Sequence, residues 1–155
     1  MYYVSDCMRT QVYTVKTGAT LIEAMRIMSS YMVGTVPVID DERYLVGVLV
    51  LDDLLTQFMP QFVQLLRTTD FVHHYGMFEM GPRTADLLEK PLAEIMRPPY
   101  YLKEDSGLME ATVFMHNHQV ADVPVVNAEK QLVGLVSRVR VGSLFLVDWL
   151  DQKNE

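Results

Sequence analysis

Residues Tyr13 to Leu49, YTVKTGATLIEAMRIMSSYMVGTVPVIDDERYLVGVL, return from Tyr100 to Val136 as YYLKEDSGLMEATVFMHNHQVADVPVVNAEKQLVGLV. The two stretches align without a gap and agree at roughly a third of their positions, the mark of one supersecondary unit present twice. Each is preceded by a related opening segment, Asp6-Cys7-Met8-Arg9 before the first copy and Glu94-Ile95-Met96-Arg97 before the second. A unit of about fifty residues exposes too much apolar surface to stand alone, so each copy is expected to pack on its twin.

Within a copy the pattern reads strand, helix, strand, strand, helix. Val12 to Val15 predicts the first strand. Thr20 with Glu23 three residues on predicts a capping box, and Leu21, Ala24, Met25, Met28 and Met32 then recur at helical spacing. The second copy keeps Leu108, Ala111 and Met115 but has Gly107 at the cap. Thr35 to Ile39 predicts a strand whose Pro37 favours an edge or a strand start. A polar turn at Asp40 to Arg43 joins it to Leu45 to Leu51 as a hairpin. Val123 to Val126 and Leu132 to Val136 repeat the hairpin, and Asp52-Asp53 suit the positive end of a following helix. The matching helix of the second copy is expected from near Val139 through Leu150, interrupted at Asp148, and Arg140 stands there in place of a carboxylate.

Composition narrows the function. Half the residues are apolar and the formal charge is −7, with no basic stripe to neutralise a nucleic acid backbone. The longest apolar run is too short to cross a bilayer, and the start lacks the basic and apolar regions of a secretory signal. The lone Cys7 excludes an internal disulfide and fits a reducing compartment, so a cytoplasmic protein is expected. His73-His74 and His116-Asn117-His118 lack the i, i+4 spacing that converges on one metal ion, so no metal is expected. No pair of groups has the spacing of a nucleophile with its base, and no enzyme activity is expected.

The order and spacing of these elements, repeated twice, resemble the CBS domain pair, or Bateman module. The resemblance implies an α+β fold of tandem β-α-β-β-α repeats packed about a pseudo-two-fold axis. Residues 1–57 would form the first repeat, 58–91 a mostly helical connection and 92–155 the second repeat. It also implies a stand-alone regulatory protein with no attached catalytic domain and no required cofactor. Its two clefts would hold an adenosine ligand such as AMP, ADP, ATP or S-adenosylmethionine, and a change of conformation or association would pass to a regulated partner. A homodimer is expected. The alternative is an interaction module with degenerate clefts that works by dimerisation alone.

The family's ligand signature is Gly, two apolar residues, Ser or Thr, two variable residues and Asp. Copy one, Gly47 to Asp53, keeps Asp53 but has Val50 in the hydroxyl position; copy two, Gly134 to Arg140, keeps Ser137 but has Arg140 for the carboxylate. By the resemblance each cleft is composite. Asp53 would face Tyr100, Tyr101, Val120, Ala121 and Asp122 in an acidic first cleft. Ser137 and Arg140, with Arg138 close by, would face Thr14, Val33, Gly34, Thr35 and Pro37 in a second cleft suited to an anion. The aromatic middle stretch Phe71 to Phe78 is expected to cover a cleft or to build a dimer contact.

Overall fold

The computed structural model describes residues 1–58 and 82–153. Most of the connection between the copies, including Phe62 to Leu66, Phe71 to Phe78 and His73-His74, lies outside the described residues. Each copy forms a three-stranded sheet. In the first, β1 (Val15–Lys16), β2 (Thr35–Ile39) and β3 (Leu45–Val50) lie in that order, β1 parallel to β2 and β2 antiparallel to β3. In the second, β4 (Leu102–Lys103), β5 (Asp122–Val126) and β6 (Leu132–Ser137) repeat this topology. Helices α1 (Leu21–Tyr31) and α2 (Leu51–Phe58) belong to the first sheet, α5 (Leu108–His118) and α6 (Arg138–Lys153) to the second. Between them come α3 (Pro82–Leu88) and the short α4 (Leu92–Ile95).

The expected capping box is present. Thr20 Oγ1 accepts from the Glu23 amide at 3.3 Å, and Glu23 accepts from the Thr20 amide at 2.7 Å. Both helices end on a left-handed residue, Met32 in α1 and Gln119 in α5, at equivalent places. Equivalence extends to the hairpin turns, where Arg43 and Lys130 share a positive φ, and to a register shift at the turn end of each hairpin, where Val46 and Val133 are the extra residues.

Three local expectations change. The first strands shrink to two residues, because only Val15 and Lys16, or Leu102 and Lys103, reach a partner strand. Helix α6 runs unbroken through Asp148, whose carboxylate accepts from Gln152 at 2.8 Å. Pro37 lies in a middle strand rather than at an edge. The ladder explains why. Pro37 opposes Val48, whose N–H and C=O both point away from β2 to bond Arg97, so the pair exchanges no hydrogen bond, and on the other side pairing with β1 begins only at Val38, so the missing N–H leaves no ladder bond unmade. Pro124 opposite Leu135 is built the same way, with Arg9 as the outer partner.

These outer partners reveal the main feature of the architecture: the opening segments are exchanged. Arg9 and Leu135 trade two backbone hydrogen bonds at 2.8 and 2.9 Å, and Arg97 and Val48 trade two at 2.9 and 3.1 Å. Val4 and Cys7 therefore sit in the core of the second repeat, beside Leu108, Met115 and Val136. Leu92 and Ile95 sit in the core of the first, beside Leu21, Val36 and Leu54. Each exchanged segment also presses a methionine onto the glycine of the Leu-Val-Gly motif, Met96 onto Gly47 and Met8 onto Gly134. A side chain at either glycine would occupy the volume of the methionine thioether.

Equivalent residues meet where the pseudo-two-fold axis passes. Tyr44 bridges Gln131, and Thr35 Oγ1 donates to Asp122 Oδ2 at 3.3 Å, each pair being one position of the repeat seen twice.

The two glycine notches differ in what surrounds them. The three atoms nearest an ideal Cβ at Gly47 all belong to the flexible Met96 side chain, whereas at Gly134 the Arg9 carbonyl oxygen is among the nearest, at 3.0 Å. Gly134→Ala is therefore expected to destabilise by about 1–3 kcal/mol and Gly47→Ala by less, measured by urea denaturation midpoints. Equal losses, or a larger loss at Gly47, would refute this packing.

Candidate functional site

The signature positions lie at the starts of α2 and α6, just beyond the hairpin edges β3 and β6. In each repeat the first amide of that helix bonds a carbonyl just before the middle strand: Leu51 to Gly34 at 2.8 Å, Arg138 to Ala121 at 2.7 Å. The fold thus brings the end of the hairpin to the start of the middle strand. What lies over that junction comes from the opposite copy.

At the first cleft Asp53 does not stand free. Arg97 Nε donates to Asp53 Oδ2 at 2.7 Å and Arg97 Nη2 donates to Oδ1 at 2.8 Å, a bidentate fork. Both side chains are about a third exposed, 32% each, so the pair adds at most about 1 kcal/mol to stability. Hydrogen bonding to Asp53 raises the Arg97 pKa and keeps the guanidinium charged. Tyr100 lies within electrostatic reach of Arg97, Asp122 and Asp53, so the three expected groups Asp53, Tyr100 and Asp122 do come together. Burial pushes the Tyr100 phenol up to about 12, against an ordinary 10.0, with Arg97 pulling the other way. Its hydroxyl reaches the Asp122 carbonyl at 3.5 Å. Burial also raises the Asp122 pKa, opposed by the Thr35 hydrogen bond and by Arg9.

The other expected members of this cleft point elsewhere. Tyr101 lines a separate surface hollow with Lys103, Asp105 and Lys130. Val120 is buried in the second core, and Ala121 is exposed.

At the second cleft Ser137 serves first as the cap of α6, its hydroxyl accepting from the Arg140 amide at 3.3 Å. Arg138 turns to the C-terminal end of α5, donating to Val120 O at 3.0 Å and Met115 O at 3.5 Å, where a cation offsets the negative helix end. Arg140 is exposed and donates through Nη1 to Cys7 O at 3.1 Å. It thereby lies against the opening segment that carries Arg9. Burial pushes the Cys7 thiol up, and the Arg140 charge pulls against it.

Val33 and Thr35 line a small cavity here with Arg9, Tyr13 and Leu135, of only about 10 Å³, the room of one water. Thr14 is half-buried, Pro37 is buried in the sheet, and Gly34 faces the other way. It lines an apolar hollow of about 440 Å³ between α1 and α2, with Met25, Met28, Met32 and Leu54.

The sequence reading missed Arg9 and Arg97. Both occupy the last position of the duplicated opening segments, yet nothing local connects Arg97 to Asp53, 44 residues away. Among the described residues no group of three or more His, Cys, Asp or Glu is placed to hold a metal, and no helix is long and apolar enough to cross a membrane.

A family model for the CBS domain matches residues 4–59 and 92–141. The crystal structure of CBSX2 in complex with AMP is similar to this chain with a TM-score of 0.69 and 26% identity, covering 94% of this chain and 97% of that one. CBSX2 from Arabidopsis thaliana, described as a CBS-pair protein, gives a TM-score of 0.71 at 24% identity over 99% and 98% of the two chains. Inosine-5'-monophosphate dehydrogenase from Aquifex aeolicus is 25% identical over 126 residues, 80% of this chain and 20% of that protein. The chain spans between 20% and 34% of the length of the curated relatives it matches.

The Tyr100 environment sets a pH dependence. The folded chain keeps this phenol protonated up to about 12, whereas the unfolded chain releases the proton near 10.0. The stability that comes from the neutral phenol is intact below about 10 and drains as pH climbs towards 12. A tyrosinate transition near 12, followed by absorbance after a rapid pH jump, is expected to vanish in Tyr100→Phe. Its persistence in that variant would contradict the assignment.

Proposed function

The chain belongs to the CBS-domain family, and from that membership we propose that it is a regulatory module whose second cleft binds an adenosine nucleotide through its phosphate. The single observation that carries this reading is the charge difference between the clefts. Where the first repeat places Asp53 against Arg97, the second places Arg140 on the segment that carries Arg9. The Arg140 guanidinium, beside the Ser137 hydroxyl and the start of a 16-residue helix, offers charge-assisted donors to a phosphate, and Arg9 lies two residues along the segment that Arg140 touches. The AMP complex of CBSX2 supports the ligand class.

Signalling follows from the closed geometry. The cavity between Arg9, Tyr13, Val33, Thr35 and Leu135 holds only about 10 Å³, so on this reading a nucleotide held at Ser137 and Arg140 reaches inward only as Arg9 and Tyr13 move aside. A ligand that binds only the open arrangement shifts the population towards it, and that differential affinity is the signal. On this reading the protein acts in the cytoplasm, without catalysis, as a homodimer that reports to a regulated partner.

A second reading has its own support: an association module with closed clefts. The same small cavity favours it, as do the exposed apolar residues on the helices, among them Met32 at 90%, Trp149 at 60% and Leu150 at 62% exposure.

Isothermal calorimetry with AMP separates the two. Arg140→Ala, Arg9→Ala and Ser137→Ala are each expected to weaken AMP binding by about 10- to 100-fold, the worth of a charge-assisted hydrogen bond. Asp53→Ala is expected to leave AMP affinity within about twofold. No heat with AMP, ADP, ATP or S-adenosylmethionine would favour the association module.

A further inference from the structure

We propose that the Arg97 guanidinium is a built-in occupant of the first cleft: it holds both oxygens of Asp53, the carboxylate that a ligand's vicinal diol would use, so a ribonucleoside enters only when Arg97 lets go. The inference goes beyond phosphate binding at the second cleft and rests on the family reading, by which the carboxylate of the signature would accept from both ribose hydroxyls of an adenosine ligand.

The geometry is a direct mimicry. A cis-diol offers two adjacent O–H donors to a carboxylate, and the guanidinium offers two adjacent N–H donors from Nε and Nη2 at 2.7 and 2.8 Å. Both acceptor oxygens are therefore engaged before any ligand arrives. The arginine is delivered to this place by the exchange of opening segments. Its backbone N–H and C=O are bonded to Val48, and the neighbouring Met96 is seated on Gly47. Pro98 and Pro99 follow directly and hold Arg97 in an extended conformation. With its backbone fixed, only side-chain rotation is needed to release Arg97 from Asp53.

The contact is specific to one cleft. At the equivalent place in the second repeat Arg140 replaces Asp53, so no such fork forms there, and the carboxylate within electrostatic reach of Arg9 is Asp122. The occupant also determines what could replace it. Asp52 and Asp53 lie within electrostatic reach of Arg97, and Asp53 and Asp122 within reach of the adjoining Tyr100, so with Arg97 displaced the cleft favours an uncharged nucleoside over a nucleotide.

The test uses the full chain and two probes, adenosine and 2'-deoxyadenosine, followed by calorimetry. Ser137→Ala/Arg140→Ala serves as the background, so that phosphate binding at the second cleft is silenced and scored separately with AMP. In that background Arg97→Gln is expected to raise adenosine affinity at least about tenfold, with no gain for 2'-deoxyadenosine, and Asp53→Asn added to it should abolish the gain. Arg97→Lys, which keeps the charge but not the fork, should give a smaller gain and guards against a misfolded Gln variant. An unchanged adenosine affinity in a folded Arg97→Gln or Arg97→Lys chain would overturn the proposal, as would an equal gain for both nucleosides. Neither result depends on whether AMP binds the unmodified protein.

Discussion

The exchange of opening segments is the constraint on which the rest of the molecule depends. Neither repeat contains its own complete core: Val4 and Cys7 complete the second, Leu92 and Ile95 complete the first. The two glycine notches exist because a methionine from the other copy must approach the hairpin edge, and the two prolines sit in middle strands because that edge spends its hydrogen bonds outward. The exchange also brings Arg97 to Asp53 and the Cys7 carbonyl to Arg140, so the chemistry of both clefts follows from the packing of the cores.

Within that shared scaffold the repeats have diverged in charge. Where the first repeat has Asp53 the second has Arg140, so the Arg97–Asp53 fork has no counterpart between Arg9 and residue 140. The first cleft keeps its fork and is closed by it. In the second, Arg140 bonds a backbone carbonyl, and the neighbouring cavity between Arg9, Val33, Thr35 and Leu135 has space for a single water. Near the axis, Thr35 and Asp122 form an equally asymmetric pair, a hydroxyl donating to a half-buried carboxylate from the same position of the repeat. The asymmetry is cheap for the fold, since the buried residues on either side stay alike, and it falls where a ligand would touch.

Much of this was legible in the chain. The duplication, the Thr20–Glu23 box, the Val-Pro-Val strands and the hairpins are local features, and local features are encoded by spacing. Helix and strand ends were less so, because Val12 to Thr14 have strand-like residues but no partner strand to pair with. The exchange itself left no local mark. Asp6 to Arg9 and Glu94 to Arg97 resemble each other equally well whether each serves its own copy or the other. For the same reason Arg9 and Arg97 escaped notice as site residues, and Ser137 and Arg138 looked freer than they are: a helix cap and the carbonyls at the end of α5 already use them.

Native-state hydrogen exchange of two amides tests the central claim most directly. The Val48 and Leu135 N–H groups are bonded only to the exchanged segments, at Arg97 and Arg9. If the exchange makes the two repeats one cooperative unit, both amides should be released with the same free energy as the amides of the middle strands, that of global unfolding. Release of Leu135 or Val48 in a cheaper, local opening, with the middle strands still protected, would show that the segments are detachable arms and contradict this account.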